Sequence, residues 1–406
     1  MKINADRIAA DLDRIAAMTD TPGQGSGRPT FSPQWAEARD YVIAEAKAAG
    51  CDVRVDAAGN VHARQASFGW DQPAWLSGSH VDSVPHGGTF DGVTGVVVPL
   101  EILRAAAEAQ QAVPLELVVF AEEEGTTFNL GMLGSRAWAG TLSAAELAKL
   151  RNKGGVDPLT AGRPYGVVAD WIGLDVIDPK QYRGLIEVHV EQGPAMWEKH
   201  IPVAIVNAIN GRRQFRCTIH GVANHAGSTP MSYRQDALAA AAECIVGLEK
   251  FPTMLSTDAV LTVGRIEAKP NALNVIADTV TFSIDFRSPK NEHLEAGSRA
   301  IRQAIAAIVG RRKLTADLAE TEILPAVTLD TGVVDALQKA AATAGLGDVP
   351  TTHSGALHDA AILAPRLPTA MIFVASKDGI SHNPAEFSRI EDIAKAAELL
   401  AAVVTL

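Results

Sequence analysis

The chain alternates between two hydrophobic periods, and the switch points mark its elements. Ile8, Leu12 and Ile15 recur at helical spacing, so the first twenty residues are predicted to form an amphipathic helix. Ser32 followed by Pro33 supplies an N-cap and a first-turn proline, opening a helix that runs through Ala49 and stops at Gly50. Short β-rich runs follow at 52–56, 60–64, 75–79 and 115–120, with a helix over 96–110 between the last two. Strands alternating with helices point to an α/β sheet covered on both faces.

The middle of the chain has a different rhythm. Segments 214–221 and 260–268 read as strands flanking a helix that opens at Ser228-Thr229-Pro230 and ends near Lys250. Segment 279–287 alternates in period two, 292–310 is helical, and a further strand covers 313–318. This β-α-β-β-α-β order is the ferredoxin-like arrangement. Beyond residue 325 the α/β rhythm returns, with a helix over 332–344, a strand over 369–375 and a last helix from Ile390. The expected architecture is an α/β sandwich domain of residues 1–211 and 326–406, split by an inserted ferredoxin-like α+β domain of residues 212–325.

Composition narrows the class. At 406 residues the chain exceeds the ~250–300 that one core supports, which favours two domains. It is 47% hydrophobic with a mean hydropathy of +0.08, too apolar for a chain that stays disordered. Thirty-six basic against 47 acidic residues leave a net charge of −11, which argues against a phosphate-tracking nucleic-acid binder. Cys51, Cys217 and Cys244 are too widely spaced for a disulfide framework or a CxxC clamp and read as buried small hydrophobes. The amino terminus lacks the apolar core of a signal peptide, and no run approaches the ~18–20 residues of a membrane span. A cytoplasmic protein is expected.

Four polar clusters interrupt this apolar chain, each at the end of a strand-like run. In Gly78-Ser79-His80-Val81-Asp82, His80 and Asp82 share one face, and Asp82 is placed to take the second N–H of a metal-bound imidazole. The glycine-rich loop that follows brings Asp91 back to the same point. Glu122-Glu123-Glu124-Gly125 follows the apolar run 115–120, at the carboxyl end where open α/β sheets bind ligands. Three adjacent carboxylates repel one another unless a cation neutralises them. The alternative is a solvated acidic turn. On an extended end neighbouring side chains point opposite ways, so one Glu would meet a metal and its neighbour a water.

Glu187, His189 and Glu191 form a polar stripe in 185–194, read either as metal-facing or as the wet face of an edge strand. His382, in Gly379-Ile380-Ser381-His382, completes three imidazoles and two carboxylates. Alone, a late histidine is more often structural. Together the donors suffice for two divalent ions sharing one aspartate. Nitrogen and oxygen donors without thiolate suit Zn²⁺, Mn²⁺, Co²⁺ or Ni²⁺. Such a pair polarises a carbonyl and activates water, the machinery of hydrolysis.

These motifs, together with Asn224-His225-Ala226-Gly227-Ser228-Thr229-Pro230, resemble the hydantoinase/carbamoylase amidohydrolases, the branch of the M20 dimetal peptidases holding N-carbamoyl-L-amino-acid hydrolase, β-ureidopropionase and allantoate amidohydrolase. The resemblance spans His80 to Glu386. It implies His80, Asp91 and His189 on one metal ion, and Asp91, Glu124 and His382 on the other. Glu123 matches the general base. Arg287 and Asn274 match contacts to a substrate carboxylate, Gln192 a contact to ureido nitrogens, and His225 a group that stabilises the oxyanion, in relatives often from the neighbouring subunit. His358 lies in a further family-like segment. One departure stands out: Thr127 occupies the position where relatives commonly carry arginine.

The implied activity is metal-dependent removal of the carbamoyl group from an N-carbamoyl-L-amino acid, by a homodimer that binds neither nucleic acid nor membrane. Allantoate amidohydrolase uses the same residues, and an aminoacylase or dipeptidase shares the fold. A binding protein with a vestigial metal centre is the reading from another class. Glu123 argues against it, because a mere metal binder needs no base beside its ligands.

Overall fold

The structure, a computed structural model, describes residues 1–168 and 171–406. It divides into two compact units. The first comprises Met1–Asn207, Leu329–Thr352 and Ala356–Leu406, and the second Ala208–Thr328 with His353–Gly355. The second unit is therefore wider than residues 212–325 and takes in a short return segment that its spacing in sequence does not announce.

In the first unit seven strands run in the order Val203–Ile209, Thr369–Val374, Tyr182–Val190, Ala74–His80, Leu115–Phe120, Val61–Gln65, Cys51–Val55. The four beginning with Thr369–Val374 are parallel to one another, and the flanking strands pair antiparallel. The parallel strands are buried on both faces, which is why they read as continuous apolar runs. Helices Ala5–Ala16, Pro33–Ala48, Val93–Glu108, Thr331–Thr343 and Ile390–Val404 contribute to the main core. Ser32 caps the second of these, accepting the Trp35 N–H at 3.2 Å. Val93–Glu108 begins three residues before the periodicity predicts, because the metal-loop residue Gly92 is itself its N-cap.

Tyr182–Val190 is an interior strand between two parallel neighbours, so the edge-strand alternative is excluded. Glu191 does not continue the polar stripe. It lies past the strand, and its carboxylate accepts the Met196 N–H at 3.0–3.1 Å in front of the short helix Ala195–Glu198.

The second unit has the split β-α-β order expected of a ferredoxin-like layer. Thr279–Ser288 lies between Val260–Thr262 and Gly211–His220, with Thr315–Leu324 outermost, all antiparallel, and helices Ala237–Leu255 and Asn291–Arg311 pack on the sheet. The first helix starts later than Ser228-Thr229-Pro230 suggests. The Thr229 hydroxyl is engaged by the His225 carbonyl at 2.8 Å, the proline opens only the 3-10 turn Met231–Tyr233, and Asp236 is the actual cap. The strand predicted over 260–268 is two short ones, Val260–Thr262 and Ile266–Lys269.

Candidate metal centre

The four parallel strands end on one side of the sheet, and each delivers part of the site. His80 ends Ala74–His80, and Glu123 and Glu124 follow Leu115–Phe120. His189 is the penultimate residue of Tyr182–Val190, and His382 sits in the loop after Thr369–Val374. Asp91 comes from the loop between Ser83–Gly87 and the long buried helix. This is the carboxyl-end placement of ligand sites in open α/β sheets. Gly92 is required here: its φ is +66°, and a Cβ would lie 2.4 Å from the His80 ring.

Asp91 is the hub. Its Oδ1 lies 3.7 Å from His80 Nε2 and 3.2 Å from His189 Nε2, and its Oδ2 lies 3.1 Å from His382 Nε2, which is 3.6 Å from Glu124 Oε2. Two donor triads thus share Asp91: His80–Asp91–His189 and Asp91–Glu124–His382, each with ligand atoms within 4.8 Å of one another. His80 Nδ1 and His189 Nδ1 each face a backbone carbonyl, of Asp82 and Val190, at 2.9 Å. A carbonyl only accepts, so each Nδ1 carries hydrogen, and a ring that gives up its other proton to a bound cation would present its Nε2 lone pair to the centre. The donor set fits hard and borderline divalent cations.

Asp82 acts differently from the sequence expectation. Its carbonyl, not its carboxylate, holds His80; the carboxylate lies 3.8 Å from His80 Nδ1 and accepts the N–H groups of Glu123 at 3.3 Å and Glu124 at 3.2 Å. The glutamates also depart from an extended end. Glu122 has φ +57°, so the chain turns, and Glu123 and Glu124 converge on the same side, within 4.8 Å of His80. Buried Glu122 takes the N–H groups of Thr127 and Phe128 at 2.8 and 2.7 Å, which fixes the loop that presents its neighbours.

The electrostatics are those of a site built around positive charge. For Asp91, burial alone would raise the pKa, but His189, His382 and His80 hold it well below the usual carboxylate range. For His80, burial opposes the charged form, yet Glu123, Asp91 and Asp82 lift it well above its ordinary value. The bond to Asp91 holds His382 up at about 9. Glu123 is pushed well up, first by burial and then by Glu124 and other carboxylates against the pull of His80, and Glu124 rises to about 7 through burial and Asp91. Carboxylates that retain protons when crowded together are groups that divalent cations neutralise instead.

The remaining expected residues fall in two places. Gln192 is at the centre, its Nε2 2.8 Å from Asp91 Oδ2 and its Oε1 buried without a hydrogen-bond partner. His225, Asn274 and Arg287 belong to the second unit. His225 Nδ1 accepts the N–H groups of Gly227 and Ser228 at 3.0 and 3.2 Å, so its Nε2 carries the hydrogen. Asn274 is exposed, and its carbonyl accepts the Ala226 N–H at 3.0 Å. Arg287 gives Nε and Nη2 to Asp285 at 2.8 and 3.2 Å and Nη1 to Gly355 at 3.2 Å, which leaves two of its five N–H groups.

Two further buried groups lie where the sequence drew attention. Glu187, from the polar stripe, accepts from the Ser79 hydroxyl and the Ala360 N–H, both at 2.9 Å, and His358, from the further family-like segment, packs edge-on against His189 with ring centroids 4.5 Å apart. Sequence reasoning missed Glu386, which grips the Asp91 loop. Its only signal was position just after the His382 motif.

The family model for peptidase family M20/M25/M40 matches residues 76–406, and the chain belongs to that family. It is 35% identical over 409 residues to the N-carbamoyl-L-amino-acid amidohydrolase of Paenarthrobacter aurescens, covering 99% of this chain and 98% of that one. It is 33% identical over 402 residues to the allantoate amidohydrolase of Escherichia coli K12, covering 97% and 96%. A crystal structure of a hydantoinase/carbamoylase family amidase from Burkholderia multivorans superposes with a TM-score of 0.92 at 32% identity, over 99% of this chain and 97% of that chain. The protein is accordingly a hydrolase of the hydantoinase/carbamoylase type, acting on carbon–nitrogen bonds.

Proposed function

We propose that the protein hydrolyses N-carbamoyl-L-amino acids, consuming one water to give the amino acid, CO2 and ammonia. The observation that carries this reading is Glu123: a partly buried carboxylate beside two donor triads, its Oε2 3.6 Å from His80 Nε2, with Glu124 already available as ligand. His80, Asp91 and His189 would hold one divalent ion and Asp91, Glu124 and His382 the other. When bound, the pair makes water acidic near neutral pH and polarises the scissile carbonyl.

The chain's own groups do the rest. Glu123 takes the proton of the attacking water and returns it to the leaving nitrogen. Gln192 Oε1 accepts a ureido N–H, which satisfies an otherwise orphaned buried acceptor. The two remaining N–H groups of Arg287, held in place by Asp285, fork onto the substrate carboxylate together with Asn274. His225, protonated at Nε2, donates to the developing oxyanion.

The second unit would act as a dimerisation domain. Leu238, Val246 and Met254 of helix Ala237–Leu255 are 44, 56 and 84% exposed, and the edge-strand residue Val260 is half-exposed. Two copies meeting there would cover these side chains and allow His225 to serve the other copy's site. No helix among the described residues is long and apolar enough to cross a membrane. We place the enzyme in the cytoplasm, since its three cysteines are free and buried.

Ammonia release from a panel of N-carbamoyl-L-amino acids, allantoate, N-acetyl amino acids and dipeptides tests the substrate class. Turnover should be fastest on N-carbamoyl-L-amino acids. Preference for allantoate would move the assignment to the diureido acid, and turnover of N-acetyl amino acids or dipeptides alone would overturn the ureido reading.

A further inference from the structure

Glu386 bridges the loops that carry Asp91 and His382. It is 5% exposed. Its Oε2 accepts the N–H groups of Phe90 at 2.7 Å and Asp91 at 3.1 Å, and its Oε1 accepts the hydroxyl of Ser381, the neighbour of His382, at 3.0 Å. Ser381 Oγ is in turn 3.1 Å from Asp91 Oδ2. One carboxylate therefore binds the loop that carries Asp91 and the loop that carries His382, segments nearly 300 residues apart in sequence. The Asp91 loop wraps closely over it: a Cβ on Gly88 would lie 2.0 Å from Glu386 Oε2 and 2.5 Å from its Cβ.

The exposure of the ligands shows where this grip matters. The side chains of His80 and His189 are 1 and 2% exposed and are held by packing, whereas that of His382 is 48% exposed. His382 also has a left-handed backbone, with φ +53°. Its position relative to Asp91 depends on its loop being tied down.

We propose that Glu386 is a positioning residue that sets the spacing between Asp91 and His382, and so the affinity of the Asp91–Glu124–His382 site, without touching substrate. The inference rests on the dimetal reading above. Groups that orient metal ligands typically contribute about 10–100-fold in affinity or activity.

Calorimetric titration of chelated protein with Zn²⁺ tests it. Wild type should bind two ions. Glu386→Ala should bind one with unchanged affinity and the other about 10–100-fold more weakly, with kcat reduced and KM for the ureido acid unchanged. Glu386→Gln keeps an acceptor for the Phe90 and Asp91 N–H groups and should recover most of the affinity. If Glu386→Ala does not fold, Ser381→Ala decides: it leaves the grip on the Asp91 loop and cuts the link to the His382 loop, so the same site should weaken. Wild-type affinity at both sites in Glu386→Ala, or in Ser381→Ala should the first not fold, overturns the inference alone. A wild type that binds fewer than two ions overturns the proposed function and the inference with it.

Discussion

Among individual residues, the carboxylates of the centre divide. Asp82 and Glu122 accept backbone N–H groups, whereas in the proposed mechanism Asp91 and Glu124 would face the cations and Glu123 would handle the proton. Glu123→Gln keeps the size and removes the base. It should leave metal content at the wild-type level and lower kcat by about 10²–10⁴-fold, as read by elemental analysis and ammonia assay of one preparation. Wild-type turnover in that variant would move the base elsewhere. His80 and Glu124 stood out in the sequence because they follow apolar runs and His189 because it interrupts one, whereas Asp91 and His382, in polar loops, drew attention through the motifs around them and the resemblance. Asp82, Glu191 and Glu386 were not: their partners are backbone N–H groups that approach them only in the folded chain, and a pattern of side chains carries no record of those.

At the scale of the element, His62 joins two antiparallel strands away from the metal centre. Its Nδ1 is 2.7 Å from Glu116 and its Nε2 3.5 Å from Asp56, and Glu116 also binds Arg64 at 2.5 Å. Burial disfavours its charged form, but the bonds to Asp56 and Glu116 prevail and raise it to about 9. A folded pKa above the unfolded value of 6.5 contributes stability that is full below pH 6.5 and is lost as pH rises through about 9. The wild type's advantage over His62→Gln in thermal or denaturant unfolding should therefore shrink by roughly 3 kcal/mol between pH 6 and pH 10. A constant difference would show that His62 is not a buried imidazolium. Strands were read correctly where the run is almost wholly apolar, as in Leu115–Phe120, or alternates strictly, as in Thr279–Ser288. The errors fell at boundaries decided by local hydrogen bonds: the helix that begins after Asp236 and not at Pro230, and the break before Ile266.

At the scale of the molecule, the order of motifs along the chain already implied the sheet, because ligands that arrive after successive apolar runs need parallel strands ending together. The exact partition into two units was less accessible, since His353–Gly355 joins the second unit from a distant stretch of sequence. The exposed apolar side chains of helix Ala237–Leu255 lead to a further expectation. Val246→Asp should shift sedimentation from dimer to monomer, and activity should fall with it if His225 serves the partner's site. A monomer of full activity would show that His225 works within its own chain or not at all.

If two cations gathered around Asp91 drive hydrolysis of a ureido acid, activity must follow metal content. Protein stripped by chelation is returned stepwise to Zn²⁺ or Mn²⁺ while ammonia release from an N-carbamoyl-L-amino acid is followed. Turnover should be absent without metal and reach a plateau at two ions per chain. Undiminished activity in the stripped protein, or none at any metal loading, would contradict it.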